Sequence, residues 1–184
     1  MSLQKIASIL KTKQDVTIVT HISPDGDALG SSFALYEALR SIGIASRVVL
    51  TEPLPAYFSF TYWQPSLYRE GMQAETVVAL DCGDQKRLGE AEPLLAQAQT
   101  VLMMDHHKTG LPFGDISYVD PACSATGEIV FSLLSLLDIG LTPAIAAALY
   151  IAISTDTGGF RYANTTSRTH QIISTLLTQP FDVA

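Results

Sequence analysis

The sequence predicts an α/β fold, in which an open and mostly parallel β-sheet is flanked by helices on both faces. The first observation is an alternation of short β-branched runs with segments of helical periodicity. The second is that the runs are apolar throughout, as strands covered on both faces are. The third is size and composition, because 184 residues, 47% of them hydrophobic and 16% charged, suit one compact domain.

The individual elements follow from this pattern. The predicted strands are VTIVT (16–20), SRVVL (46–50), TVVAL (76–80), TVLMM (100–104) and a short one within DISYVD (115–120). The predicted helices span residues 3–10, 28–43, 90–97, 126–137, 143–153 and 166–177. We expect Gly43 to end the second helix, and Thr142 to cap the fifth with Pro143 at its first position. The strand–helix–strand order predicts parallel neighbours joined by right-handed crossovers.

An irregular segment, Glu52 to Gly71, interrupts the alternation. It contains Pro53, Pro55 and Pro65 together with several aromatic residues, so we expect an excursion that its rings pack onto the surface. Residues 57–68 suit two roles that the sequence leaves open. One is the interface of a homodimer, and the other is a lid packed on the domain.

Charge and composition disfavour several classes of partner. The net charge of −7 and the pI near 4.9 predict that a long nucleic-acid duplex or strand is repelled unless metal ions intervene. No uninterrupted run of 18 apolar residues predicts a membrane span, and the first residues do not resemble a secretory signal. Two cysteines cannot form a disulfide framework, so we expect a cytoplasmic protein.

Three predicted strands end in residues that can carry chemistry. His21 follows the first strand, Asp81 follows TVVAL, and the run Asp105-His106-His107 follows TVLMM. The carboxyl ends of parallel strands meet at one edge of the sheet, where ligands bind in open α/β folds. We therefore expect these side chains to converge.

The first loop, HISPDGDALGSS, spaces His21, Asp25 and Asp27 so that both carboxylates can face the same side. Pro24 and Gly26 supply the bend. A purely structural alternative is a turn in which Asp27 caps the following helix.

The run DHHK at 105–108 is more specific than a single aspartate. Asp81 alone could satisfy loop amides, but two adjacent histidines after an apolar strand are hard to explain by packing. We expect His106 and His107 to contact a metal ion or a phosphate.

The last of these segments is STDTGGFRYANTT, residues 154–166. Asp156 follows the predicted buried helix, and Gly158 and Gly159 allow the backbone to approach a ligand or to turn sharply. Arg161 is a candidate phosphate contact by residue type and position. The alternative is an aspartate that caps a glycine-rich turn.

Together these residues predict a metal centre. So many carboxylates in one crevice would repel one another unless cations lie between them. Mixed imidazole and carboxylate ligands favour Mn²⁺, Fe²⁺, Co²⁺ or Zn²⁺ over Ca²⁺. The set of two histidines and four aspartates exceeds the needs of one ion and predicts two, roughly 3.5–4 Å apart with one shared carboxylate, as in sites that activate water for displacement at phosphorus.

The four motifs, in order, resemble those of the DHH family of phosphoesterases. HISPDGDALGS is similar to its first motif, VVALDCGD to its second, MMDHHKTG to its third and STDTGGFRYANTT to its fourth. SATGEIVFSLL, residues 124–134, is also similar to the helix after the third motif. The resemblance covers nearly the whole chain.

The resemblance implies a role for each site residue. His21, Asp25 and Asp156 would hold one Mn²⁺, Asp27 and His106 would hold the other, and Asp81 would bridge both ions. Asp105 would orient a histidine ligand, and His107 would contact the scissile phosphate or assist the leaving group. Mg²⁺, Co²⁺ or Zn²⁺ could replace Mn²⁺.

Within the family, DTGGFRYANTT and the spacing of the motifs are most similar to the nanoRNase and 3′-phosphoadenosine 5′-phosphate phosphatase branch. This resemblance implies hydrolysis of short oligoribonucleotides, 3′-phosphoadenosine 5′-phosphate or both. Two alternatives stay open. One is a pyrophosphatase or cyclic-dinucleotide phosphodiesterase of the same fold, and the other is a non-catalytic nucleotide-binding module.

The resemblance also predicts a domain boundary. We expect residues 1–178 to form the catalytic domain and residues 179–184 to begin a linker to a second, DHH-associated domain outside this sequence.

Overall fold

Six parallel strands form one sheet in the computed structural model, which describes residues 2–182. The strands are β1 (Asp15–Val19), β2 (Ala45–Leu50), β3 (Ser66–Leu67), β4 (Thr76–Leu80), β5 (Thr100–Asp105) and β6 (Ile116–Val119). The helices are α1 (Leu3–Leu10), α2 (Gly26–Ser41), α3 (Pro93–Gln97), α4 (Thr126–Leu136), α5 (Pro143–Asp156) and α6 (Ser167–Leu176). Two 3₁₀ segments cover Ala56–Phe58 and Gln85–Ala91.

The strand order β3-β2-β1-β4-β5-β6 creates a switch point between β1 and β4. From β1 the chain builds outwards to β2 and β3, and it then returns to build β4, β5 and β6 on the other side. Val19 of β1 is in register with Ala79 of β4, so the residues after these two strands emerge side by side. A crevice opens at such a point, and it is the usual ligand site of this fold class.

Apolar side chains cover both faces of the sheet, as the sequence predicts. On one face, strand residues such as Ile18 and Leu102 pack against α1, α2, α4, α5 and α6. On the other face, Val19, Met103 and their neighbours pack against the 3₁₀ segment 85–91 and α3. The period of two in a strand sends alternate side chains to the two cores.

The predicted strands and helices are present, and the structure adds β3 inside the segment that the sequence predicts to be irregular. Helix α2 ends at Ser41, two residues before Gly43, which has a φ of 83°. Two other helices differ in extent. The helix expected at 90–97 is α-helical only from Pro93, because the residues up to Ala91 belong to the 3₁₀ segment 85–91, which is kinked at Gly89 with a φ of 56°. Helix α5 continues beyond the predicted end at Ile153 to Asp156. Thr142 does cap α5, through a hydrogen bond from the amide of Ile145 to its hydroxyl.

The aromatic segment between β2 and β4 is partly packed and partly exposed. Trp63 stacks on Phe33 of α2, with ring centroids 4.8 Å apart, and Phe58 is buried beside it. Tyr57, Phe60 and Tyr62 are exposed, Tyr62 almost completely. The rings therefore anchor this segment to α2, as expected, while half of them face outwards.

No helix within residues 2–182 is both long enough and apolar enough to cross a membrane. Cys82 and Cys123 are free and buried, each among the side chains of a different core. The predicted linker begins after α6, where residues 179–182 are neither helix nor strand. Its last two residues, Val183 and Ala184, lie outside the described part.

Candidate metal centre

His21, Asp81 and the run Asp105 to His107 lie at the carboxyl edge of the sheet, at the ends of β1, β4 and β5. Asp81 is almost fully buried and has a φ of 56°, a left-handed conformation that is uncommon for a residue with a side chain. Its amide donates a hydrogen bond to the carbonyl oxygen of Met104 at 3.0 Å. This conformation ends the strand and belongs to the kind of backbone strain that is concentrated at functional sites.

One group of possible ligands comprises His21, Asp25 and Asp81, whose ligand atoms lie within 4.8 Å of one another. His21 Nε2 is 3.8 Å from Asp81 Oδ2. Its other ring nitrogen, Nδ1, is 2.7 Å from the carbonyl oxygen of Ile22, which fixes the proton on Nδ1. Nε2 therefore faces the carboxylates.

A second group comprises Asp27, His106 and Asp156, again within 4.8 Å. His106 Nε2 is 3.5 Å from Asp156 Oδ2 and 3.7 Å from Asp27 Oδ2. His106 Nδ1 lies 3.3 Å from the carbonyl oxygen of Cys123. As with His21, the backbone contact at Nδ1 leaves Nε2 to the carboxylates.

Asp81 belongs to the first group and also to a third, with His106 and His107, whose ligand atoms likewise lie within 4.8 Å of one another. Its Oδ2 is the oxygen near His21, whereas its Oδ1 is 3.8 Å from His106 Nε2. One oxygen faces each histidine, which is the arrangement that a shared carboxylate needs.

Asp156 differs from the division that the family resemblance implies. That division places Asp156 with His21 and Asp25, but the structure groups its carboxylate with Asp27 and His106. Asp156 is the last residue of α5, and Asp27 lies in the first turn of α2.

Asp27 is held by the amino terminus of α4. Its Oδ2 accepts from the amide of Thr126 at 2.6 Å, and its Oδ1 accepts from the amide of Gly127 at 3.0 Å and the hydroxyl of Ser31 at 2.9 Å. The hydroxyl of Thr126 also donates to Asp81 Oδ1 at 2.8 Å. These helix-terminal amides favour negative charge, so α4 orients two carboxylates at once.

The sequence interpretation did not single out Thr126 or Ser31. The signals for them were the two stretches that resemble the family, since HISPDGDALGS ends at Ser31 and SATGEIVFSLL includes Thr126. The structural alternative for the first loop, in which Asp27 caps the following helix, is also wrong, because the cap is Asp25. Asp25 caps α2, since its Oδ1 accepts from the amide of Ala28 at 3.0 Å, and Asp27 belongs to the first turn.

Burial, together with repulsion between neighbouring carboxylates, raises the pKa of three carboxyl groups. Burial is the main cause for Asp27, whose pKa is raised well above its ordinary value, with Asp81 and Asp156 adding repulsion. Burial also raises the pKa of Asp81, followed by repulsion from Asp25, and burial raises the pKa of Asp156. Buried carboxylates that repel one another are stabilised by bound cations, so the donor set fits divalent metal ions.

His107 differs from the other two histidines. Its Nδ1 is 2.7 Å from Asp105 Oδ1, and this hydrogen bond raises the pKa of His107 to about 9. Burial opposes ionisation of Asp105, but the hydrogen bond and charge of His107 lower the pKa of Asp105 overall. The pair is therefore charged at neutral pH, with His107 half-exposed.

Asp105 was expected to orient a histidine ligand. In the structure its side chain orients His107, and for His106 it accepts a hydrogen bond from the backbone amide at 2.9 Å. His107 Nδ1 is also 3.6 Å from Asp81 Oδ1, which keeps the ring beside the cluster.

The two arginines near the motifs lie in different places. Arg161 is exposed, its Nε donates to the carbonyl oxygen of Gly158 at 2.8 Å, and none of the hydrogen bonds or ion pairs within residues 2–182 connects it to the cluster. Arg87, which sequence reasoning missed, is close enough for its charge to oppose protonation of His107. Its carbonyl oxygen accepts from the amide of Ile22 at 2.8 Å, so it lies beside the first motif.

The chain is similar to several known proteins. Residues 15–153 match the family described as "DHH family, N-terminal domain". The chain is 35% identical over 180 residues to a Thermus thermophilus protein named bifunctional oligoribonuclease and PAP phosphatase NrnA, covering 95% of this chain and 53% of the relative. It therefore spans about half the length of this relative.

Two solved structures share the fold. An exopolyphosphatase-related protein from Bacteroides fragilis superposes with a TM-score of 0.89 and 30% identity, covering 98% of this chain and 57% of the other. Exonuclease RecJ, in a structure bound to manganese, superposes with a TM-score of 0.60 and 17% identity, covering 97% and 48%. The second likeness shows the fold alone.

The match to the family runs from the start of β1 to Ile153 within α5, and so includes the switch point and every strand that leads into the crevice. This chain belongs to the DHH family, whose N-terminal domain it matches.

Proposed function

We propose that this chain is the catalytic part of a metal-dependent phosphoesterase that removes nucleotides from short oligoribonucleotides and dephosphorylates 3′-phosphoadenosine 5′-phosphate. The observation that carries the proposal is the convergence of His21, Asp25, Asp27, Asp81, His106 and Asp156 in one crevice at the switch point. Such a set has no evident use in packing, because burial, together with repulsion between the carboxylates, raises the pKa of Asp27, Asp81 and Asp156.

We propose that two ions are held in this crevice. His21, Asp25 and Asp81 would hold one, and Asp27, His106 and Asp156 would hold the other, with Asp81 shared. Imidazole and carboxylate donors without thiolate suit Mn²⁺, and Mg²⁺, Co²⁺ or Zn²⁺ are the alternatives. When bound, the ions would supply a nucleophilic water and neutralise charge on the phosphate.

The remaining residues act on the phosphate group. His107 is held in its charged form by Asp105, and its Nε2 proton is free to be donated to a phosphate oxygen or to the leaving oxygen. Asp105 fixes the orientation of the ring. Arg87 and Arg161 are proposed as further phosphate contacts, Arg87 because its charge acts on His107, and Arg161 by residue type and position.

The choice of substrate is supported by the relatives and by charge. The Thermus thermophilus relative is named as an oligoribonuclease and PAP phosphatase, and its likeness covers 95% of this chain. The net charge of −7 gives little attraction for a long nucleic acid away from the metal centre. We therefore propose small nucleotide substrates, without a long duplex or a membrane as partner, in a cytoplasmic protein that is a candidate homodimer.

The test is hydrolysis of two substrates with added Mn²⁺. Release of phosphate from 3′-phosphoadenosine 5′-phosphate, and of mononucleotide from a short 5′-phosphorylated oligoribonucleotide, would be measured for this chain and for Asp81→Asn. We expect the unmodified chain to hydrolyse these substrates. The rate for Asp81→Asn should be lower by at least about a hundredfold, because both ion groups share Asp81. Equal turnover by the two proteins would contradict the proposal.

The same assay separates the alternative functions. Phosphate released from pyrophosphate, or a linear dinucleotide formed from a cyclic one, would assign the chain to those activities. Tight binding of nucleotide without turnover of any substrate, in the longer protein as well, would favour a non-catalytic binding module.

The phosphate-binding role of Arg87 is tested with its alanine variant. We expect Arg87→Ala to raise KM for 3′-phosphoadenosine 5′-phosphate about tenfold or more, because a charged hydrogen bond to phosphate is lost, while the number of bound Mn²⁺ ions stays the same. Lys86→Ala is the matched control, since Lys86 is an exposed neighbour on the same 3₁₀ segment. An unchanged KM in Arg87→Ala would remove Arg87 from the site.

A further inference from the structure

The side chain of Asn164 connects the two elements that hold the second group of possible ligands. Asn164 lies in the loop between α5 and α6 and donates through Nδ2 to two backbone carbonyl oxygens. One belongs to Ser124, at 3.0 Å, and the other to Asp156, also at 3.0 Å. Neither oxygen is a possible metal ligand in the groups described above, so Asn164 has no direct contact with the proposed ions.

The two carbonyl groups belong to the two segments that hold the carboxylates of the second group. Asp156 is the last residue of α5 and supplies one carboxylate of that group. Ser124 lies two residues before Thr126, whose amide donates to Asp27, the other carboxylate of the group. By bonding to both, Asn164 restrains the separation between the end of α5 and the beginning of α4.

A buried polar network supports the same segment from behind. Glu128 of α4 has no solvent exposure, and its Oε1 accepts from the hydroxyl of Ser124 at 2.6 Å and from the hydroxyl of Thr169 at 2.7 Å. Thr169 in turn pairs with Thr166, which caps α6 two residues after Asn164. The loop that carries Asn164 is thus fixed to α4 at a second point.

We infer that Asn164 is a positioning residue for the second ion. It sets the span between Asp27 and Asp156, whereas His21 and Asp25 of the first group are held by other contacts. Asp81 contacts Thr126 of α4, but its backbone is also held by the hydrogen bond from its amide to Met104. The inference rests on the proposed two-metal function and adds a residue that contacts neither ion nor substrate. Groups that orient metal ligands typically change metal affinity about ten- to a hundredfold when they are removed.

The test is titration of the metal-free chain with Mn²⁺, with calorimetry for the number of ions and their affinities. Electron paramagnetic resonance would report whether two ions are magnetically coupled. For the unmodified chain we expect two ions and a coupled pair. For Asn164→Ala we expect one ion bound as before, the other bound about ten- to a hundredfold more weakly, and the signal of an isolated ion at intermediate Mn²⁺ concentrations.

Two further variants separate positioning from general stability. Asn164→Asp keeps the size of the side chain but removes both donors, and we expect the same selective loss of one ion. Thr175→Ala, on the exposed side of α6, is the control and is expected to bind both ions normally. Thermal unfolding in a chelator shows whether each variant is folded.

Each outcome has a separate meaning. Selective weakening of one ion in both Asn164 variants supports the inference. Two ions retained at full affinity, or two ions weakened equally, would overturn it and leave the proposed function intact. An unmodified chain that binds no Mn²⁺ would overturn the proposed function and this inference with it.

Discussion

Among the single residues, Asp81 shows how the geometry of a shared metal ligand opposes the stability of the metal-free fold. It is almost fully buried, adopts a positive φ, and directs one oxygen to each of two histidines. Burial and the nearby carboxylate of Asp25 raise its pKa, so its charged form is unfavourable without a cation. The geometry that suits a shared metal ligand is therefore a cost to the stability of the metal-free fold.

This cost predicts that Asp81→Asn stabilises the metal-free chain. The raised pKa of Asp81 means that its contribution to stability is favourable below the ordinary pKa of about 3.9 and is lost as pH rises through the folded value. Asparagine removes the charge and keeps an acceptor for the hydroxyl of Thr126. We expect a higher unfolding temperature for the variant in a chelator, with a larger difference at pH 8 than at pH 5. If Asp81→Asn had a lower unfolding temperature than the unmodified chain at both pH values, this explanation would be contradicted.

At the scale of elements, the contact between α2 and α5 determines where two of the ligands lie. Asp27 is in the first turn of α2, and Asp156 is the last residue of α5. The helices approach closely at Gly30, where a Cβ atom would be 2.4 Å from the carbonyl oxygen of Ala148 and 2.7 Å from the amide nitrogen of Ala152. Only a residue without a side chain fits there.

We predict that Gly30→Ala destabilises the protein and weakens the second ion. Alanine is favoured over glycine inside a helix by about 1 kcal/mol, but the contact with backbone atoms outweighs this gain. Overpacking of this kind costs roughly 1–3 kcal/mol, measured as the free energy of unfolding in urea. Gly140→Ala is the control, since a Cβ atom there meets nothing within 4 Å. Equal stability of the two variants would show that α2 can move away from α5 freely.

At the scale of the whole molecule, the sheet separates two hydrophobic cores. Cys82 lies in the core beneath the 3₁₀ segment 85–91 and α3, and Cys123 lies in the larger core under the other helices. Burial raises the pKa of each thiol to about 12. Both thiols are therefore protonated and unreactive in the folded protein at pH 8.

These thiols predict whether the two cores unfold together. We expect both cysteines to resist alkylation by iodoacetamide at pH 8 and to become labelled over the same range of urea concentration, because one sheet joins the cores. Mass spectrometry of the labelled peptides measures each cysteine separately. Labelling of Cys82 at a lower urea concentration would show that the smaller core opens by itself.

The sequence predicts much of this fold because the signals are local. The apolar runs of β1, β2, β4 and β5 and the helical periodicity of α2 appear within short windows, and the structure confirms them. The kink at Gly89 and the last residues of α5 were missed, because neither is marked by the apolar periodicity from which the elements were predicted. Gly89 approaches Ile22 closely, and α5 ends beside the loop that Asn164 anchors.

The amino-acid sequence is sufficient for the fold class and for the chemical types gathered at the sheet edge, because an aspartate or histidine after a buried strand can be read without knowing its neighbours. How those residues are grouped is visible only in the folded chain. It grouped Asp156 with Asp27, directed the α4 amides to Asp27, paired His107 with Asp105, and brought Arg87 near His107. The physical reason is that grouping depends on distances between segments far apart in the chain, such as Asp27 and Thr126, and no local pattern specifies those distances.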